Sequence, residues 1–409
     1  MEYGLIGERL GHSHSPKIHG LLAGYDYQLR EISQEDLPAF LEARDFRGLN
    51  VTIPYKKAVL PYCDQLGEGA RRIGCVNTLV HRPDGTLFGD NTDYYGIRAT
   101  LNRGGVDPKG RHCLVLGTGG TSLTAIRALE DLGAASVERV SRKGPLSYEN
   151  VYDRTDTEII VNTTPLGMYP NNGTAAVDLS RFPNLRGAAD VVYNPLKTAL
   201  LLQAEALGIP RAGGLAMLVV QAARAAELFT GSAIAEEKVE SVLQRVKTDV
   251  TNLVLIGMPG SGKSTLGRLA ARLLSRPFLD ADTIIAEKAG MSIPEIFEKE
   301  GEAGFRRRET EVLSELGKQS GVVIATGGGA VLRQENLPLL RQNGWICRLR
   351  RPVEELPMEG RPLSASLQRL KEMEVEREPY YATAADETLT NAGEPETLAK
   401  QLVKAFWGE

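Results

Sequence analysis

The chain has 409 residues, enough for two or three domains of ordinary size. Its 42% hydrophobic and 24% charged residues give the balance of a folded protein and exclude wholesale disorder. Lys and Arg total 48 against 52 Asp and Glu, a formal net charge of −4, which excludes a strongly basic nucleic-acid binder. The cysteines at 63, 75, 113 and 347 form no Cys-x-x-Cys pair and have no His cluster beside them. Neither a zinc site nor a disulfide framework is expected. The N-terminus lacks the basic start and long apolar stretch of a signal peptide, and no apolar run is long enough to span a bilayer. The expectation is a soluble cytoplasmic protein with reduced thiols and no membrane or nucleic-acid partner.

The first hundred residues carry polar clusters in glycine-rich settings. They are Gly11-His-Ser13-His-Ser15-Pro16, Gly48-Leu-Asn50-Val-Thr52-Ile-Pro-Tyr-Lys56, Gly74-Cys-Val-Asn77-Thr and Gly89-Asp-Asn91-Thr-Asp93. Hydroxyls and amides at loop ends suit a polyhydroxylated ring. Lys56 and Asp93 suit an acid–base pair for carbonyl reduction, in which an alkoxide forms and must be protonated. Taken singly, each has a plainer reading: Ser15-Pro16 as a helix start, Asn77 and Asn91 as turn residues, Lys56 as a surface lysine.

A strand is predicted over His112–Leu116, running into Gly117-Thr118-Gly119-Gly120-Thr121-Ser122 and then a helix to Gly133. A short apolar run, a glycine loop and a helix together form a βα phosphate-binding unit. The next predicted strand, Ser136–Val140, ends in Ser141-Arg142-Lys143, where NAD enzymes often carry a carboxylate for the ribose hydroxyls. A hydroxyl and two cations suit the ribose 2′-phosphate of NADP instead. Further polar loops follow at Asn162-Thr163-Thr-Pro-Leu-Gly-Met168, Asp190-Val-Val-Tyr193 and Gly213-Gly214-Leu-Ala-Met217-Leu-Val-Val-Gln221. A charged amphipathic helix is predicted over Ala233–Val246, with a short, polar, β-prone link at Lys247–Thr251 and a domain boundary near 248.

The second half opens with a strand over Asn252–Ile256 and the full phosphate-loop pattern Gly257-x4-Gly262-Lys263-Ser264, with Gly260, Ser261 and Thr265 in or beside it. Backbone N–H groups can wrap a phosphate, Lys263 supplies a point charge and the Ser264 hydroxyl suits Mg²⁺. Phe278-Leu-Asp280-Ala-Asp282 ends a second predicted strand. It would bring one carboxylate for Mg²⁺ and one to accept a proton from an acceptor hydroxyl. The plainer alternative is a helix cap and a solvated Asp. Arg306, Gly327-Gly328-Gly329, Arg361 and Arg377 follow, and three arginines spread this way can clamp an anionic acceptor.

Ser-x-Ser-Pro, Asn-Val-Thr-x-Pro-x-Lys, Val-Asn-Thr, Asn-Thr-Asp and Met-Leu-x-x-Gln-Ala stand in order, and with them residues 1–247 resemble shikimate dehydrogenase. The resemblance implies that Ser13, Ser15, Thr52, Asn77, Asp93, Tyr193 and Gln221 bind substrate and that Lys56 with Asp93 carries catalysis. It further implies that Gly117–Thr121, Ser141, Arg142 and the loop with Thr163 bind NADP, with Gly214 near the nicotinamide. The family usually has Asn-Arg-Thr where this chain has Ser141-Arg142-Lys143. The two serines favour shikimate over quinate, which carries an extra hydroxyl.

Residues 252–409 resemble shikimate kinase through the phosphate loop, the Asp-x-Asp, Phe305-Arg-x-x-Glu309, the triple glycine, Arg361-Pro-Leu and Arg377-x-Pro-x-Tyr381. This implies Asp282 on the ring hydroxyls, Arg306 and Arg377 on the carboxylate, and Gly327–Gly329 under the ring. Asp280 and Ser264 would hold Mg²⁺, while Lys263 and the lid residue Arg361 would face the γ-phosphoryl group of ATP. The lid stretch is short and carries Glu354, Glu355 and Glu359.

The expected fold class is α/β. An α/β substrate lobe spans 1–93 and is completed by 215–247, a Rossmann NADP lobe spans 94–214, and a P-loop, nucleoside-monophosphate-kinase-like domain spans 248–409. The expected function is a bifunctional enzyme that reduces 3-dehydroshikimate with NADPH and phosphorylates the resulting shikimate with Mg·ATP. Two rivals are a quinate/shikimate dehydrogenase fused to a kinase for another small hydroxy acid, and a non-catalytic regulator that senses shikimate. A sensor has no need of Lys56, Asp93, Lys263 and Asp282, and all four are present.

Overall fold

The computed structural model describes residues 1–11, 13–356 and 366–408. The chain divides into two compact units, Met1–Val246 and Lys247–Glu409.

The first unit begins with β1 (Tyr3–Gly7), α1 (Ser15–Ala23), β2 (Gln28–Glu31), α2 (Leu37–Ala43), β3 (Gly48–Val51), β4 (Gln65–Leu66), α3 (Glu68–Ile73), β5 (Thr78–His81) and β6 (Leu87–Asp90). Its six-stranded sheet has the order β2-β1-β3-β5-β6-β4. It is mixed: β1 runs parallel to β2 and β3, while β5 is antiparallel to both β3 and β6. β5 and β6 form a hairpin of chain neighbours, whereas β3 pairs with β5 across the intervening β4 and α3.

Then come α4 (Asp93–Arg103), β7 (His112–Leu116), α5 (Gly120–Asp131), β8 (Ser136–Val140), β9 (Ile159–Asn162), β10 (Gly187–Asp190), α6 (Ala199–Ala206), β11 (Arg211–Ala212), α7 (Leu215–Thr230) and α8 (Glu236–Val250). The second sheet is all parallel, in the order β11-β10-β9-β7-β8. Its inner strands β7, β9 and β10 are buried almost throughout because both faces are covered, while the edge strands β8 and β11 carry charged residues. Alternation along each strand divides them: Cys113, Val115, Ile159 and Val161 enter a core with α4 and α5, and Leu114, Leu116 and Ile160 enter another with α6. Helix α7 packs against both α1 and α4. The expected polar link at Lys247–Thr251 is helical as far as Val250. Val246 and Val250, one turn apart, are both buried, and that packing outweighs the weak helix preference of Thr248 and Val250.

The second unit contains β12 (Asn252–Ile256), α9 (Lys263–Leu274), β13 (Phe278–Asp280), α10 (Ala281–Ala289), α11 (Ile293–Leu316), β14 (Val323–Ala325), α12 (Asn336–Arg341), β15 (Gly344–Arg350), α13 (Leu367–Ala384), β16 (Glu387–Thr390) and α14 (Pro395–Trp407). Its parallel sheet has the order β13-β14-β12-β15-β16. Val254 and Ile256 face one core, with α10 to α13, and Leu253 and Leu255 face another with α9 and α14. Helix α11 is kinked at Gly301, where φ is 68°.

A buried aromatic group braces the first sheet. His19 of α1 lies flat on Tyr27, with ring centroids 4.0 Å apart and planes 8° from parallel, and its Nδ1 is 2.6 Å from the Tyr25 hydroxyl. The Tyr27 hydroxyl donates to Asn50 Oδ1 at 2.7 Å, tying the group to β3. Burial pushes the His19 imidazole down to about 3, so it stays neutral in the folded chain. Unfolded, it takes up a proton near its ordinary value of 6.5. Between those values the unfolded state binds more protons, so stability falls as pH drops from 6.5 toward 3. His19→Gln is expected to flatten the dependence of the urea unfolding midpoint on pH between about 6 and 4. An unchanged slope would contradict a neutral buried His19.

Candidate active sites

The end of β3 and the start of α4 bring together the polar clusters of the first unit. The main chain there is tightly laced: Val51 N–H donates to Asn77 O at 2.8 Å, Asn77 N–H to Asp90 O at 3.1 Å, and Val76 N–H to Lys56 O at 2.8 Å. Asn77 Oδ1 accepts from Thr92 N–H at 2.7 Å, which holds the first turn of α4, and the next residue is Asp93. Asp93 Oδ2 accepts from Lys56 Nζ at 2.5 Å, and both side chains are largely buried.

This pair lines a cavity of about 180 Å³ together with Ser13, Ser15, Thr52, Asn77, Tyr193, Gly214 and Gln221. Every residue of the first unit assigned to substrate from the sequence thus reaches one cavity. The Ser13 hydroxyl donates to Ser15 Oγ at 3.1 Å. Burial pushes the Tyr193 phenol up, keeping it a neutral donor. Asn50, Val191, Met217 and Leu218 line the same cavity and were given no role from the sequence. Asn50 is buried among its own partners, Tyr27, Asn77 and Thr78. The other three are apolar, and spacing carries no signal for an apolar cavity wall.

The residues assigned to NADP lie together at the carboxyl edge of the parallel sheet, where α/β proteins bind ligands. Gly117 follows β7, Ser141 follows β8 and Thr163 follows β9, three adjacent strands. Gly117 has φ 120°, a conformation that favours glycine. Thr163 Oγ–H donates to Leu116 O at 2.6 Å, pinning its loop to the end of β7. A Cβ placed on Gly120 would lie 3.5 Å from Lys56 Cβ and Cδ, so the glycine loop passes beside the catalytic lysine candidate.

The second unit has a cavity of about 580 Å³ lined by Gly260, Gly262–Thr265, Asp280, Asp282, Arg306, Gly327–Gly329 and Arg377. Ser261 is fully buried behind the loop, and Arg361 lies outside the described residues. Lys263 Nζ donates to Gly257 O and Met258 O, both at 2.9 Å. Gly257 has φ 141° and sits so close to Leu349 O that a side chain would clash. Ser264 Oγ–H donates to Asp280 Oδ2 at 2.6 Å, so two hard oxygen donors meet beside the phosphate loop. No cluster of three His, Cys, Asp or Glu able to hold a metal occurs among the described residues. Two oxygens suit a magnesium ion that keeps waters and shares phosphate oxygens. Asp280 also caps α10, accepting from Thr283 N–H at 3.4 Å, as the plainer reading of this residue expects.

The acceptor side is built from buried charge. Arg306 Nη1 donates to Glu309 Oε2 at 2.8 Å, and Glu309 has no exposed surface. Burial pushes the Glu309 carboxyl up, and Arg306 opposes that shift. A Cβ on Gly327 would fall 2.5 Å from Glu309 Oε1 and 2.9 Å from Asp282 Oδ1, so both carboxylates converge there. Arg377 Nη1 and the Tyr381 hydroxyl both donate to Gly328 O, fixing the triple glycine against α13. Arg351, at the end of β15, also lines this cavity and pairs with Glu355 at 3.2 Å.

The shikimate kinase family model matches residues 259–407, and the model of the shikimate dehydrogenase substrate binding domain matches residues 5–79. Shikimate dehydrogenase (NADP(+)) of Clostridium perfringens strain SM101 is 35% identical over 266 residues, which cover 60% of this chain and 98% of that protein. Among solved structures, a chorismate mutase/shikimate 5-dehydrogenase fusion protein from Clostridium acetobutylicum is 36% identical with a TM-score of 0.56, covering 60% of this chain and 96% of its own. Shikimate 5-dehydrogenase from Thermus thermophilus, solved with NADP(H) and shikimate, is 32% identical with a TM-score of 0.53, covering 60% and 99%. No helix among the described residues is long and apolar enough to cross a membrane. The chain belongs to the shikimate dehydrogenase family and carries a shikimate kinase domain after it, which makes it a bifunctional enzyme of the shikimate pathway.

Proposed function

We propose that the two sites act in sequence on one molecule: the first reduces 3-dehydroshikimate to shikimate, and the second phosphorylates shikimate to shikimate 3-phosphate. The observation that carries this reading is the Lys56–Asp93 pair, 2.5 Å apart in a small polar cavity beside a dinucleotide loop. We read the first unit as a substrate lobe of residues 1–93 completed by 215–247, with a cofactor lobe of 94–214 and a kinase domain from 248 onward. The cytoplasm is the compartment we assign, on the four free thiols.

When bound, NADPH supplies the hydride and Mg·ATP the phosphoryl group. In the first site Ser13, Ser15, Thr52, Asn77, Tyr193 and Gln221 hold the ring by its hydroxyls and carboxylate. Lys56 delivers a proton to the oxygen that becomes the new hydroxyl, and Asp93 holds the lysine side chain in place. Gly117–Thr121, Ser141, Arg142, the Thr163 loop and Gly214 would hold the dinucleotide, with Arg142 supplying positive charge for its 2′-phosphate.

In the second site Arg306 and Arg377 pair with the substrate carboxylate, and Gly327–Gly329 pack under the ring. Asp282 orients the acceptor hydroxyl and takes its proton as the new O–P bond forms and the bond from the γ-phosphorus to the departing ADP breaks. Gly260–Thr265 would wrap the nucleotide phosphates, Ser264 and Asp280 would hold Mg²⁺, and Lys263 would supply positive charge toward the transferring group.

Lys56→Ala should lower dehydrogenase kcat by at least about 100-fold while supplied shikimate is still phosphorylated at the parent rate. Retained reduction would remove Lys56 from the chemistry. A Cβ at Gly328 would fall 2.6 Å from the Pro259 ring, forcing the triple glycine and phosphate loop apart. Gly328→Ala is therefore expected to lower phosphorylation by at least about tenfold and leave reduction intact, as read by separate assays on the same preparation.

A further inference from the structure

β10 ends in Asp190, which has no exposed surface and lines neither cavity. Its Oδ1 accepts from Asn162 Nδ2 and from Val192 N–H, each at 3.0 Å, and its Oδ2 accepts from the Thr198 hydroxyl at 2.7 Å. Burial pushes the carboxyl up to about 7, against the pull of these three bonds. A buried carboxylate is costly, so the structure retains an expensive group with no reacting atom beside it.

The three donors belong to three segments. Asn162 closes β9 and starts the loop to Met168, and its own Oδ1 accepts from Thr164 N–H at 3.1 Å and the Thr164 hydroxyl at 2.7 Å. Val192 lies in the turn that carries Val191 and Tyr193 to the first cavity, and its carbonyl accepts from Gly214 N–H at 3.1 Å. Thr198 caps α6, and a Cβ on Gly167 of the cofactor loop would lie 3.4 Å from Thr198 Cβ. One carboxylate thus ties the loop assigned to NADP, the turn assigned to substrate and the start of a helix.

We propose that Asp190 is a positioning residue that locks the Asn162–Met168 loop to the Val191–Tyr193 turn, so that cofactor and substrate are set in register with each other. This rests on the reading above, in which the loop holds NADP and Tyr193 holds substrate.

The test compares Asp190→Ala with Asp190→Asn in the full chain. Asparagine keeps an oxygen for Asn162 and Val192 and turns its NH₂ to the Thr198 hydroxyl, which can accept. Alanine leaves all three donors without their acceptor. We expect Asp190→Ala to raise KM for both NADPH and 3-dehydroshikimate by about tenfold or more, and Asp190→Asn to stay within about threefold. A role in stability alone would lower the melting temperature and the active fraction and leave both KM values of the folded molecules in place. Both KM values within about twofold of the parent for Asp190→Ala would overturn the proposal, whatever happens to kcat. If that variant does not fold, Thr198→Val removes one of the three bonds and should raise the same two constants by a smaller factor; no rise is equally fatal. Tyr193→Phe separates the two layers of inference. If it raises KM for 3-dehydroshikimate while Asp190→Ala does not, the positioning proposal alone falls; if it changes nothing, the site reading falls and takes the proposal with it.

Discussion

Bringing bare backbone up to a phosphate at the carboxyl end of a parallel strand is the constraint on which both units are built. The donors must be main-chain N–H groups left free by sheet and helix, and no side chain can stand between them and the ligand. β7 and β12 meet it in the same way. Each lies inside its sheet with a parallel neighbour on either side, and each runs into a glycine loop that opens a helix. The neighbours then end at the same edge and deliver the polar residues: Ser141 and Thr163 around β7, and the triple glycine and Arg351 around β12. Because the strands are buried on both faces, their apolar cores fix the height of that edge.

The second shared feature is buried charge held in place by hydrogen bonds. Lys56 with Asp93 and Arg306 with Glu309 are each less exposed than ordinary ion pairs. Such pairs give little net stability, since desolvation consumes much of the attraction. What they give is a fixed charge at a chosen point, which a flexible, hydrated lysine or arginine on the surface does not. In the first unit Asn77 holds Thr92, the residue before Asp93, and in the second the Gly328 carbonyl holds Arg377. The main chain thus sets the position of the functional groups.

Local pattern revealed a large part of this. The strands His112–Leu116, Asn252–Ile256 and Phe278–Asp280 follow directly from apolar runs ending in glycine or aspartate, and Ser136–Val140 from its place one helix after the glycine loop. The phosphate loop and the hydroxyl and amide clusters carry their chemistry in residue type and spacing. What stayed hidden depends on tertiary contact. The mixed order of the first sheet comes from pairings between distant strands, which spacing does not encode. The α8 extension through Val250 follows from burial of one face and not from propensity. Asp190 looked like one more polar residue in a loop motif, because only the fold brings Asn162, Val192 and Thr198 to its carboxylate. Glu309 was visible only as a motif letter, while its role as the buried partner of Arg306 needed the turn of α11.

The central claim is that this chain carries out two successive reactions on one carbon skeleton. The most direct measurement incubates the purified protein with 3-dehydroshikimate, NADPH, ATP and Mg²⁺ and follows the products by mass spectrometry. The account predicts shikimate 3-phosphate only when both cofactors are present, shikimate alone when ATP is withheld, and no phosphorylated product when NADPH is withheld. Phosphorylation of 3-dehydroshikimate without NADPH, or reduction with no phosphorylation in the complete mixture, would contradict it.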